Sequence, residues 1–148
     1  GLAVQFVDLL VNRIFDRFPN VRFGFMEGGL AWFMLVAERL PGSYGAFRPV
    51  NRDRFLDVEG HDLHQYIADL IDSGRLYVGV EGDEPALGYA VKTFGRSPFV
   101  FSSDFPHEVN VDTIGEELEE LTENEDLSSE DRHAILYSNA ERFYKLQT

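Results

Sequence analysis

Pro98-Phe99-Val100-Phe101-Ser102-Ser103-Asp104-Phe105-Pro106-His107 decides the fold: a short apolar run of strand length that ends in a carboxylate and then a turn. Two earlier stretches have the same character. Val21-Arg22-Phe23-Gly24-Phe25-Met26 leads into Glu27-Gly28-Gly29, and Leu76-Tyr77-Val78-Gly79-Val80 leads into Glu81-Gly82-Asp83-Glu84. Each strand is apolar along its length instead of alternating, the pattern of strands covered on both faces of a parallel sheet. Between and around them the apolar residues recur at three and four positions, the period of a helix with one buried face.

That period predicts a helix carrying Val4, Val7, Leu10, Val11, Ile14, Phe15 and Phe18, ended by Pro19-Asn20. It predicts further helices over 30–40, stopped by Pro41-Gly42, over 61–73 with Leu63, Ile67, Leu70 and Ile71 on one side, and over 84–94. Residues 43–60 show no period and are expected to form a long excursion, partly helical. After the third strand come helices over 111–122, 128–136 and 139–145, the second opened by Ser128 with Asp131 three residues on, a capping box. Helix and strand alternate throughout, so the chain is α/β with about three parallel strands and crossover helices. Three strands do not close an eight-stranded barrel, which takes about 250 residues.

With 148 residues, 44% hydrophobic and 14% aromatic, the chain is one packed domain and not a disordered segment. It has no cysteine, which excludes disulfides and thiolate zinc sites and is compatible with a cytoplasmic location. A net charge of −13 argues against nucleic acid and anionic membranes as partners. The acids are concentrated between Glu108 and Asp131, where no Lys or Arg occurs, as on a solvated acidic helix. No apolar run approaches the roughly 20 residues that span a bilayer. The first residues carry no signal-peptide pattern and open inside an amphipathic period, so the chain is expected to begin partway into a larger fold.

Asp104 is the foremost candidate for chemistry, because parallel sheets place their active sites at the C-terminal mouth of the strands. There a carboxylate can ligate a metal or take a proton from water. Asp before Phe-Pro also suits a turn, and the local pattern leaves both readings open. Glu27 ends the first strand, and Gly28 and Gly29 after it would let backbone approach a ligand; a glutamate near the positive end of the next helix is the alternative. Glu81, with Asp83 and Glu84, follows the second strand at the same mouth, as a substrate loop or a helix start. His61 and His64 stand at helical spacing, which could let them share a metal, but with no third ligand nearby they read as surface histidines near a helix start. His133 takes no role. Phosphate loops, dinucleotide glycine fingerprints and the serine-hydrolase elbow are all absent from the sequence.

Phe18-Pro19-Asn20-Val21-Arg22-Phe23, Met26-Glu27-Gly28-Gly29, Phe101-Ser102-Ser103-Asp104-Phe105-Pro106-His107 and Ser138-Asn139-Ala140-Glu141-Arg142-Phe143-Tyr144, in that order, resemble the C-terminal half of the amidohydrolase superfamily. The branch is the amidohydrolase-related one, which holds metal-dependent hydrolases and decarboxylases. The resemblance implies the C-terminal half of a (β/α)8 TIM barrel, incomplete on its own, with these strands as the sixth, seventh and eighth. It implies Asp104 as catalytic residue and metal ligand or water activator. His107 becomes a supporting mouth residue beside Glu27, Gly28, Gly29 and Glu81. The implied cofactor is a divalent metal, zinc or manganese, that this chain ligates only in part, since the family's His-x-His pair belongs to a strand not found here. Glu27 stands where several decarboxylases carry a histidine, a departure that disfavours their reaction.

Three functions follow from the resemblance. The chain is part of a metal-dependent hydrolase acting on a small organic substrate; or a metal-dependent decarboxylase; or a catalytically silent half-barrel serving assembly. All three imply a partner chain or segment carrying the N-terminal half barrel, and a tendency to form homo-oligomers through open sheet edges.

Overall fold

A computed structural model describes residues 1–47, 62–107 and 109–146. Among them are three strands, β1 (Phe23–Phe25), β2 (Leu76–Val80) and β3 (Phe99–Phe101), in one parallel sheet of order β1-β2-β3. Phe23 lies opposite Leu76 in register, and Val78 opposite Phe99. Central β2 is buried at every residue, which is why its sequence is an unbroken apolar run. The sheet is open, and its succession of strand and covering helix is an arc of the barrel that the resemblance implied.

The helices before β2 are α1 (Leu2–Val11), α2 (Ile14–Arg17), α3 (Ala31–Phe47) and α4 (Leu63–Asp72); α5 (Leu87–Phe94) joins β2 to β3. One face of the sheet, with Leu76, Val78, Val80 and Phe99, packs into a core with Phe6, Leu10, Phe33, Ile67, Ile71 and Leu87. Phe6, Phe25, Trp32 and Phe33 meet in tilted and edge-on pairs, with ring centroids 5.3 to 6.2 Å apart.

Two helix expectations are corrected. The first helix breaks at Arg13, which takes a left-handed conformation with φ of 58°, and the chain restarts as α2. The break swings Phe15 fully into the core, where the Arg75 guanidinium binds the Phe15 and Phe18 carbonyls. Pro41-Gly42 does not stop α3, which runs on to Phe47. Buried Tyr44 anchors that last turn, and packing outweighs the hydrogen bond that proline cannot donate. The rest of the expected excursion, 48–60, and His61 lie outside the described residues.

After β3 come α6 (Ile114–Glu123), α7 (Ser129–His133), a π-helical turn (Ala134–Ser138) and α8 (Asn139–Tyr144). The capping box at Ser128 and Asp131 is present as expected. The last helical stretch is tied to the N-terminal ends of the strands. Arg22, just before β1, donates to the Phe143 carbonyl at 3.2 Å, and Arg142 donates to the Tyr77 hydroxyl at 2.8 Å and to the Ser97 carbonyl at 3.4 Å. Asn139, the one buried polar side chain among the described residues, donates to the carbonyls of Arg96 and Phe99 at 2.8 and 2.7 Å. These bonds fasten the sheet at its N-terminal end, opposite the strand exits that carry Glu27, Glu81 and Asp104.

Candidate functional site

The three strands deliver three short connections to the C-terminal end of the sheet. β1 ends one residue before Met26-Glu27-Gly28-Gly29, β2 runs directly into Glu81, and β3 gives way to Ser102-Ser103-Asp104. Sheet pairing holds these exits in step: the Ser102 amide donates to the Val80 carbonyl at 2.9 Å.

Asp104 has φ of 53° and opens a turn closed by the His107 amide donating to its carbonyl at 2.9 Å. The turn reading of Asp104 therefore holds, and the turn lies just beyond the C-terminal end of β3. The turn folds the His107 ring back, so that Nδ1 lies 3.3 Å from Asp104 Oδ1. Glu27, with φ of 57°, comes in from the β1 exit. One donor atom each from Glu27, Asp104 and His107 falls within a circle where all lie within 4.8 Å of one another. Asp104 is the sheltered member, its side chain about a fifth exposed, while Glu27 and His107 are open to solvent.

The other predicted mouth residues surround this trio. Gly29 occupies the left-handed region, φ of 60°, where a side chain would be strained. A side chain on Gly28 would collide with Leu2, so that glycine makes room for α1. Glu81 is held above the usual carboxylate range by burial first, and then by the charges of Glu84, Asp83, Glu117 and Asp104. His64 stands exposed on α4 and is not one of the clustered donors, and His133 stacks on Tyr137 with centroids 5.9 Å apart.

Glu84 is the residue whose importance the sequence did not single out. Its Oε2 accepts the Leu30 amide at 2.6 Å and its Oε1 the Glu81 amide at 3.0 Å. It therefore satisfies the N-terminal end of α3 from across the sheet, the capping task open to Glu27 on the local pattern. Burial raises the Glu84 carboxyl above the ordinary range, the two N–H bonds pull it back, and the net direction is upward. No local signal identifies this role: the Glu81 amide is only three residues away, but the Leu30 amide comes within reach only because β1 and β2 lie side by side.

The acidic run after β3 folds largely as a solvated helix, with Glu116, Glu119 and Glu120 exposed. Glu117 on that helix turns inward, where its Oε2 accepts the Gly82 amide at 3.2 Å. No helix among the described residues is long and apolar enough to cross a membrane.

No curated protein matches the chain. A family model does, described as amidohydrolase and matching residues 2–146, and with that match over nearly its whole length the chain belongs to the amidohydrolase family.

Proposed function

We propose that Glu27, Asp104 and His107 hold a divalent cation, zinc or manganese, in a metal-dependent hydrolase that acts on a small carboxylate, amide or lactone. The observation that carries this is the convergence of an imidazole and two carboxylates from the β1 and β3 exits within 4.8 Å. Imidazole and carboxylate are the donors that zinc and manganese accept. Donors around a tetrahedral zinc stand about 3.4 Å apart, as follows from bonds of about 2.1 Å. The 3.3 Å between His107 and Asp104 already meets that spacing, and Glu27, exposed and within 4.8 Å of both, needs only a small side-chain adjustment to close the remainder. Three protein ligands with an open position is the usual composition of a catalytic zinc site.

When bound, the cation supplies Lewis acidity that polarises a carbonyl and makes water more acidic. Asp104 accepts the proton of the attacking water at Oδ2, because its Oδ1 faces His107 Nδ1. The carboxylates of Glu81, Asp83 and Glu84 make the rim electronegative and favour a cation over an anion there.

Further strands from a partner chain or segment would complete the barrel around this mouth. Both outer strands support that part of the proposal: among the described residues β1 and β3 each pair only with β2, and a groove lined by Leu2, Leu9, Phe23, Phe25 and Met26 runs along β1. The test is titration of the metal-free protein with Zn²⁺ and Mn²⁺ by calorimetry. One ion per chain is expected, with binding lost in Asp104→Ala. Binding that survives Asp104→Ala refutes the assignment.

A further inference from the structure

We infer that Glu84 is a positioning residue, a clamp that fixes Glu27 relative to Asp104 without touching the cation. This role rests on Glu27, Asp104 and His107 being the cation's ligands.

The clamp consists of one carboxylate shared between two backbone amides on different strand exits. Oε2 takes the amide of Leu30, three residues after Glu27, and Oε1 takes the amide of Glu81, the first residue beyond β2. From Glu81 the connection continues through Val80, whose carbonyl accepts the Ser102 amide two residues before Asp104. Glu27 and Asp104 are thus joined through a short series of hydrogen bonds, and Glu84 supplies the only side-chain step in it. The Gly29 backbone lies against the same carboxylate: a Cβ placed there would stand 3.5 Å from Oε2. The β1 exit has to hold two unusual conformations, left-handed at Glu27 and at Gly29, and a fixed point at Leu30 limits where they can direct the Glu27 side chain.

Both oxygens are needed because both partners are donors. A glutamine can accept from one amide but presents its own NH₂ to the other, so one link opens. An aspartate keeps the charge and loses the reach to bridge both amides. The two variants separate clamping from simple attraction: Glu84→Gln removes a negative charge near the cation as well as the clamp, whereas Glu84→Asp removes the clamp alone.

The experiment is calorimetric titration with Mn²⁺ of the wild-type chain, Glu84→Gln, Glu84→Asp and Ile67→Val, with amide hydrogen exchange followed at Leu30 and Glu81. Ile67 is a core residue of α4 with no part in the mouth, and its variant controls for lost stability. Both Glu84 variants are expected to bind Mn²⁺ about tenfold more weakly, the scale of losing a group that orients a ligand. Exchange at Leu30 or Glu81 should quicken in both, and Ile67→Val should bind like the wild type. Wild-type affinity in Glu84→Asp overturns the clamp while leaving the cation site standing, and so does weakened binding in Ile67→Val. Absence of Mn²⁺ binding by the wild-type chain overturns the cation site, and the positioning role with it.

Discussion

Replacing Asn139 by alanine should destabilise the protein by about 2–3 kcal/mol. Asn139 is 5% exposed, and its Nδ2 donates to the carbonyls of Arg96 and Phe99, at 2.8 and 2.7 Å. Each such bond contributes a net of about 1 kcal/mol, and leaving buried carbonyls short of a partner adds to the loss. At roughly 2–4 °C per kcal/mol for a chain of this size, the melting temperature should fall by about 5–10 °C. Urea unfolding followed by circular dichroism gives the free energy directly. Asn139→Asp sharpens the test, since it keeps the shape but turns a carboxylate oxygen toward two carbonyl oxygens. It should be less stable than Asn139→Ala at neutral pH and recover part of the difference in acid, where the protonated carboxyl can donate to one carbonyl. A loss below about 0.5 kcal/mol for alanine, or an aspartate no worse than alanine at neutral pH, would refute the account of Asn139 as the latch between the last helix and β3.

Gly82→Ala should cost about 1–3 kcal/mol, because the added Cβ would sit 2.1 Å from the Glu117 backbone oxygen, which no side-chain rotation can relieve; the urea midpoint measures it. Glu81→Gln should stabilise the protein at neutral pH by about 0.5 kcal/mol, modest because the site is partly solvated. The sign follows from the raised carboxyl. Between the ordinary value of 4.5 and the higher folded value, the folded state binds more protons than the unfolded, so wild-type stability falls as pH rises through that window. Glutamine does not titrate, so the gain should be absent below pH 4.5, where Glu81 is protonated in both states, and should appear above it. A gain of equal size at pH 3 and pH 7 would show that the carboxylate charges are not its cause.

The apolar patterns placed all three strands. Leu76–Val80 was legible to the residue because β2 is buried on both sides, and its whole length carries the signal. Helix ends were read less well, for reasons that lie outside the local chain. Arg13 breaks the first helix so that Phe15 can be buried under Arg75, and Pro41 fails to stop α3 because Tyr44 beyond it finds a buried place. In both cases distant packing outweighs local propensity.

The sequence by itself determined the architecture class and which strand ends bear carboxylates, because period and composition are local properties that burial imposes on each segment. It also marked Asp104, Glu27 and His107 one at a time. Only the tertiary structure decided that the three converge, that Glu84 joins the β1 exit to the β2 exit, and that Asn139 and Arg142 secure the opposite end of the sheet. Those facts depend on which strands lie side by side and in what register, and a hydrogen bond between residues far apart in the chain leaves no periodic trace in the sequence.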